Sequence, residues 1–193
     1  MAVSRFSTST VAKGLPKYQK AWDQVSQPSW NYYSIATQTV GSGGASTITF
    51  SNIPQTYTHL QLRVMQLNSA SGQYNKLQFN SDTSNSYWLH SLQGNGSSAS
   101  ATAYGALASY LYFPSDTSNT YPTVQICDIL DYTSINKNKT IRSLEGYDAN
   151  GSGGIRLSSG LWSATPAAIS SITITSVSNT IQQYSQFALY GVK

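Results

Sequence analysis

Few residues of this chain carry charge or reactive chemistry. Charged residues make up 9% of its 193 residues, against about 25% in an ordinary globular domain. Glu145 is the one glutamate, and His59 and His90 are the two histidines. Six aspartates accompany them, but no two carboxylates form an obvious catalytic pair. No G-x-S-x-G elbow in a strand-turn-helix setting marks a Ser-His-Asp triad, and two histidines without a cysteine cluster do not predict a zinc site. We therefore expect a protein that is not an enzyme and that uses no cofactor and no metal.

Cysteine and long apolar runs are also scarce. Cys127 is the single cysteine, which excludes an intramolecular disulfide and a cysteine metal cluster. Its neighbours Ile126 and Ile129 predict a buried thiol on a strand. No apolar run approaches the roughly 18 residues that cross a membrane, and the first residues lack the apolar segment of a secretory signal. We expect no contact with a membrane.

The net charge of +4 is concentrated at the start of the chain. Residues 1–30 hold four basic residues and one acidic residue, whereas the rest holds seven basic and six acidic residues. Because the body is nearly neutral, we expect no specific binding of nucleic acid there. In residues 1–30, Gly14 and Pro16 interrupt any long helix, and large side chains are widely spaced. This pattern favours an extended N-terminal attachment arm over a floppy terminus. Its candidate partner-binding residues are Arg5, Phe6, Leu15, Lys17, Tyr18, Trp22 and Trp30.

After residue 30 the sequence alternates short strand patterns with turn signals. His59–Leu67 is the clearest strand, with Leu60, Leu62 and Val64 facing one side. The apolar strand at Tyr184–Val192 is expected to lie inside a sheet rather than at its edge. Residues 94–106, rich in Gly, Ser and Ala, are expected to form a connection. About ten such strands predict an all-β fold, an antiparallel β-sandwich over residues 31–193.

One short sequence occurs twice. Ser81-Asp82-Thr83-Ser84-Asn85 returns at residues 115–119, and a tyrosine follows each copy within two residues. One interpretation is two equivalent surface turns, capped by their own Asp and Asn side chains. The other is a pair of polar loops at one end of the sandwich that bind a glycan or Ca²⁺, although one carboxylate per loop is little for calcium. The candidate glycan-contact residues are Asp82, Asn85, Tyr87, Trp88, Asp116, Asn119 and Tyr121.

Three segments resemble a family of tailed-bacteriophage virion proteins that is common in phages of cyanobacteria and other marine bacteria. They are Tyr33–Arg63, Leu77–Asp82, and the chain end comprising Ile169–Ile174 and Phe187–Lys193; the start, Val3–Ser7 with Gly14–Lys17, is similar to N-terminal arms in such proteins. The resemblance implies a jelly-roll-like domain on the virion that is fixed to the particle by its arm.

The resemblance leaves the place on the particle open: a capsid decoration or cement protein, a head fibre, or a tail fibre or baseplate. Its implied partners are other virion proteins of capsid or tail, together with further copies of the chain in a symmetric oligomer. A trimer is the symmetry suggested by how fibre and decoration domains behave. The alternative from the residues is a carbohydrate-binding module that recognises a host surface glycan.

Overall fold

The computed structural model describes residues 31–114 and 117–193, and it describes the backbone alone at residues 105–107. Tyr32–Lys193 forms one compact unit of strands and turns. The described strands are β1 (Tyr32–Thr39), β2 (Thr47–Phe50), β3 (His59–Gln66), β4 (Asn75–Phe79), β5 (Tyr87–Gly94), β6 (Ala99–Ala108), β7 (Leu111–Tyr112), β8 (Thr123–Ile129), β9 (Lys139–Asp148), β10 (Gly153–Trp162), β11 (Ile172–Ser176) and β12 (Gln186–Val192).

These strands form two antiparallel sheets, which confirms the predicted β-sandwich. The larger sheet has the order β1-β12-β3-β8-β9-β10-β5-β6, and the smaller has the order β2-β11-β4-β7. The last strand, β12, pairs with β1 on one side and β3 on the other, so the prediction that it lies inside a sheet is confirmed.

The strand order is that of a jelly roll with two inserted hairpins. Without β5–β6 and β9–β10, the pairs are β1 with β12, β2 with β11, β3 with β8 and β4 with β7. These are the pairs of one long hairpin that is rolled into two sheets. The two inserted hairpins pair with each other and continue outward from β8. They extend the larger sheet from four strands to eight.

The core lies where the two sheets face each other. The alternation on β3 turns Leu60, Leu62 and Val64 inward, as predicted from the sequence. At Gly160 on β10, an added Cβ would lie 3.1 Å from the methyl groups of Leu111 on β7, so a side chain larger than hydrogen would require the Leu111 side chain to shift. Large buried side chains from both sheets complete the core: Phe50, Leu77, Phe79, Ile129, Ile172, Ile174, Phe187 and Leu189.

The structure differs from the prediction at residues 94–106. Ala99–Ala108 forms β6 instead of a connection, and it pairs with β5 from Tyr87–Ala108 to Gly94–Ala99. Small residues and Gly have low strand propensity, so the sequence reads as a loop. Pairing with β5 overrides that preference. The actual connection is the short turn at Asn95–Ser98, where the Asn95 side-chain oxygen accepts hydrogen bonds from the Ser97 and Ser98 amides.

Candidate functional site

The first copy of the repeated sequence is a structural turn between β4 and β5. The carboxylate of Asp82 accepts hydrogen bonds from the Ser84 amide (2.8 Å), the Ser84 and Ser86 hydroxyls (2.6 Å each) and the indole N–H of Trp162 (2.6 Å). Partial burial acts to raise the pKa of Asp82, but the bonds from Ser84, Ser86 and Trp162 outweigh it and lower the pKa to about 2. Asp82 therefore ties this turn to the end of β10.

Tyr87 belongs to the core, so its assignment as a glycan contact is wrong. Its side chain is 0% exposed, and its hydroxyl accepts from the Phe79 amide and donates to the Asp82 carbonyl. The strand alternation that buries Tyr87 puts the next residue, Trp88, on the opposite face, where it is 39% exposed. Asn85 is exposed in the turn itself.

The described part of the second copy, residues 117–119, lies at the other end of β4, where the Thr117 hydroxyl donates to the Gln73 carbonyl. β7 runs antiparallel to β4, and the Phe113 amide bonds to the Asn75 carbonyl, so the chain leaves β7 past the start of β4. The first copy follows the end of β4. The alternative interpretation of the repeat, as two loops at one end of the sandwich, is therefore wrong. Asn119 and Tyr121 are exposed, Asn119 accepts a hydrogen bond from Ser71 (2.7 Å), and Asp116 lies outside the described residues.

The proposed arm and its seven candidate residues, from Arg5 to Trp30, also lie outside the described residues. Their role in binding a partner stays a prediction.

The outer face of the larger sheet carries a continuous band of exposed apolar side chains. Arg63, Ile126, Leu144, Leu157 and Leu92 are successive cross-strand partners on β3, β8, β9, β10 and β5. The neighbouring set of partners adds Met65, Val124 and Ile155. We call the seven apolar members the apolar band: Met65, Leu92, Val124, Ile126, Leu144, Ile155 and Leu157, each between 44% and 59% exposed.

Two shallow grooves accompany the band. One, of about 570 Å³, runs along Val124, Ile126 and Ile155, where Gly146 contributes no side chain. The other, of about 510 Å³, lies beside Leu92 and Leu157. The next set of partners on this face is polar, with Asp128 opposite Arg142, so the band has a polar border on one side.

Behind the apolar band, the inner face of the same sheet is polar. Gln125, Glu145, Arg156, Gln93 and Ser100 are successive partners on β8, β9, β10, β5 and β6. We call them the polar row. Glu145 is 5% exposed and Gln125 is 2% exposed. Side chains that alternate in strands therefore place polar groups inside and apolar groups outside at this end of the sheet, the reverse of the usual arrangement.

Most of the polar row is joined by side-chain contacts. The Nη1 atom of Arg156 lies 3.6 Å from Oε1 of Glu145. The Nε and Nη2 atoms of Arg156 both donate to Oε1 of Gln93, with a Nε–O distance of 3.1 Å. The amide of Gln93 in turn donates to Oγ of Ser100 (3.0 Å). Among the described residues, neither polar atom of the Gln125 amide has a hydrogen-bond partner.

A cleft of about 290 Å³ opens over this row. Glu145, Arg156, Gln93 and Ser100 line it together with Thr123, Tyr147 and the turn at Asn95 and Ser98. The ring of Tyr147 lies over Gly154, since a Cβ there would be 3.6 Å from Cε1 of Tyr147. The cleft is at the Gly153 end of β10, whereas Asp82 binds Trp162 at the other end. We call it the polar cleft.

Sequence reasoning did not find either surface, although one signal was present. On β9, Ile141 is buried and Leu144 is exposed, so two apolar residues three positions apart occupy opposite faces. The same change of face occurs on β8, where Ile126 is exposed beside the buried Cys127. The buried thiol itself is as predicted, with Cys127 fully buried.

Within the described ranges, no helix is long and apolar enough to cross a membrane. In the same part of the chain, no three His, Cys, Asp or Glu side chains come together as metal ligands. No protein family, no curated protein and no solved structure matches this chain.

Proposed function

We propose that this protein is a structural component of a bacteriophage virion, which docks on the particle through residues 1–30 and self-associates through the apolar band. The sequence resemblance supports the phage assignment, and the jelly-roll fold suits it, because this fold is frequent among viral capsid proteins. Arg5, Phe6, Leu15, Lys17, Tyr18, Trp22 and Trp30 are the anchoring residues of this proposal.

The apolar band is the observation that carries the proposal. Single exposed apolar residues are ordinary on a soluble protein, but a contiguous set marks a contact surface. The band crosses four neighbouring strands through the Ile126–Leu144–Leu157–Leu92 partners. A free monomer would keep all of it in water.

The size of the face fits a second copy of the chain as the occupant. The five strands that carry the band, at ~4.8 Å spacing and with eight to ten residues at ~3.3 Å, give a face of about 700 Å². A standard stable interface buries about 800 Å² on each partner. Charge does not oppose self-association, because residues 31–193 hold seven basic and six acidic residues. Docking of two or three copies would bury the band and leave the inner face of the sheet open.

Sedimentation of the full chain tests the self-association. We expect an oligomer at micromolar concentration, and we expect Leu144→Gln and Leu157→Gln to weaken assembly by at least about tenfold, a loss of about 1.4 kcal/mol. Thr140→Gln is the matched control, since Thr140 is exposed on the outer face of β9, beyond the polar border of the band. A monomeric parent, or band variants that assemble like the control, would contradict this part of the proposal.

Particles made by the genome that encodes the chain test the virion assignment. Antibodies to the sandwich should label purified particles at one fixed place on head or tail. A chain without residues 1–30 should stay folded and soluble but no longer bind the particle, and Trp22→Ala with Trp30→Ala should weaken docking in the full chain. Particles free of the protein, or full occupancy by the shortened chain, would refute the assignment.

A carbohydrate-binding, host-recognition module is the second candidate function. The polar cleft favours it, because a small concave site with a few convergent polar groups is the usual form of a small-ligand site. The two repeat turns lie at opposite ends of β4, so their exposed residues Asn85, Asn119 and Tyr121 share no site.

A further inference from the structure

We infer that the polar cleft is a binding site for an uncharged saccharide unit. The inference rests on the second candidate function, whose site and ligand class it specifies, and it does not depend on the virion role.

The charges of the cleft are balanced. Glu145 and Arg156 face each other across 3.6 Å, and both are largely buried, with side-chain exposures of 5% and 18%. An anionic ligand would be repelled by the Glu145 carboxylate, and a cationic one by the Arg156 guanidinium, at a depth where water screens poorly. A neutral polar ligand meets neither penalty.

Hydrogen-bond donors and acceptors alternate along the floor of the cleft. A carboxylate accepts hydrogen bonds, a guanidinium donates up to five, and an amide and a hydroxyl do both. Glu145, Arg156, Gln93 and Ser100 present these groups at the spacing of neighbouring strands, about 4.8 Å. Adjacent hydroxyls of a sugar ring, each a donor and an acceptor, match such an alternation.

The site is rigid, and its shape suits a sugar ring. The two bonds from Arg156 to Gln93, and the bond from Gln93 to Ser100, hold the floor in place before any ligand arrives. Preorganised groups lose little entropy on binding. The ring of Tyr147, packed over Gly154, supplies an aromatic wall of the kind that suits a sugar ring.

The size of the cleft limits the ligand. Its volume of about 290 Å³ lies at the lower limit for small-molecule sites, about 300–1,000 Å³. It therefore holds one sugar ring, with the rest of a glycan outside.

Ligand-observed NMR of the full chain with glucose, galactose, mannose and N-acetylglucosamine, together with an array of neutral and acidic glycans, tests the inference. We expect at least one neutral sugar to bind with millimolar affinity, as is usual for a single ring in a small site. Arg156→Met should weaken binding by at least about tenfold. Ser98→Trp should have the same effect, because it fills the cleft from an exposed rim position without changing the Glu145–Arg156 pair.

Arg142→Met is the matched control. It removes the same charge from an exposed position on the outer face of β9 and should leave binding unchanged. Ser98→Trp keeps the test decisive if Arg156→Met fails to fold. The inference is overturned if no neutral sugar binds, if acidic glycans alone bind, or if Ser98→Trp and Arg142→Met behave alike. None of these outcomes bears on oligomerisation or on the presence of the protein in particles.

Discussion

Removal of the Asp82 carboxylate should destabilise the sandwich at one end. Asp82→Ala removes four hydrogen bonds, including the one from the indole of Trp162, which is 4% exposed. A buried donor without a partner costs about 1–3 kcal/mol. Because Asp82 is half-buried, water can replace the bonds to the serines in part. We expect a loss of about 2 kcal/mol in the free energy of unfolding, or about 4–8 °C in Tm for a domain of this size.

The same carboxylate gives the stability a dependence on pH. The pKa of Asp82 is lowered from 3.8 to about 2 in the folded chain, so the ionised form is favoured by folding. Its contribution is complete above pH 4 and is lost as the pH falls from about 4 to about 2, because protonation then costs the folded state more than the unfolded state. After allowance for solvent screening of a partly exposed group, this contribution is about 1 kcal/mol.

Urea unfolding at pH 7 and at intervals down to pH 2, followed by far-ultraviolet circular dichroism, measures both effects. Asp82→Asn should lose part of the stability and should flatten the acid limb of the curve. Asp148→Ala is the control, since Asp148 is exposed and accepts one hydrogen bond, from the Asn150 amide (2.9 Å) in the β9–β10 turn. If Asp82→Ala falls within about 0.5 kcal/mol of the parent, or if Asp148→Ala is equally costly, then Asp82 does not hold this end of the sandwich.

Three further outcomes follow from the packing. Gly191→Ala should cost about 2 kcal/mol or more in denaturant unfolding, because its Cβ would lie 2.2 Å from the Tyr57 ring, whereas Gly41→Ala, with open space around it, should be neutral. Burial raises the pKa of the Cys127 thiol. A thiol reagent should therefore modify Cys127 only at the rate at which the chain unfolds. Fast labelling of the native chain would disprove the burial of the thiol. Gln125→Met should leave the free energy of unfolding unchanged or raise it by about 1 kcal/mol, since its amide has no partner among the described residues; a clear loss would show that the amide is satisfied.

Most of the sandwich could be predicted from the sequence. The strands whose one face meets the smaller sheet alternate cleanly, as at Leu60, Leu62 and Val64, because the buried face must be apolar. Likewise, the burial of Phe187 and Leu189 and the interior place of β12 could be predicted from the pattern. The order of strands could not, since residue patterns do not state which strands pair; the jelly-roll topology came from the resemblance.

The two surfaces proposed as functional lay beyond sequence reasoning for a different reason. The assumption that apolar side chains face inward fails on β8, β9 and β10. There Ile126, Leu144 and Leu157 face outward, and Gln125 and Glu145 face inward. The sequence of a strand shows that apolar and polar side chains alternate, but it does not show which face is buried. That depends on how far the smaller sheet extends over the larger one.

The two inserted hairpins explain why this reversal occurs where it does. β10 packs against the smaller sheet at Gly160, under Leu111 of β7, whereas Arg156 lies four residues earlier, about 13 Å along the strand. The larger sheet therefore extends beyond the smaller sheet, and in this region the smaller sheet covers neither of its faces. An apolar inner face here would have no part of the smaller sheet to pack against. An apolar outer face needs a partner that covers it. The reversed alternation satisfies both conditions if a polar ligand occupies the inside and another copy of the chain covers the outside. We therefore propose that the inserted hairpins carry much of the binding surface, since they supply most of the polar cleft and four of the seven residues of the apolar band, Leu92, Leu144, Ile155 and Leu157, whereas β3 and β8 of the rolled strands supply the other three.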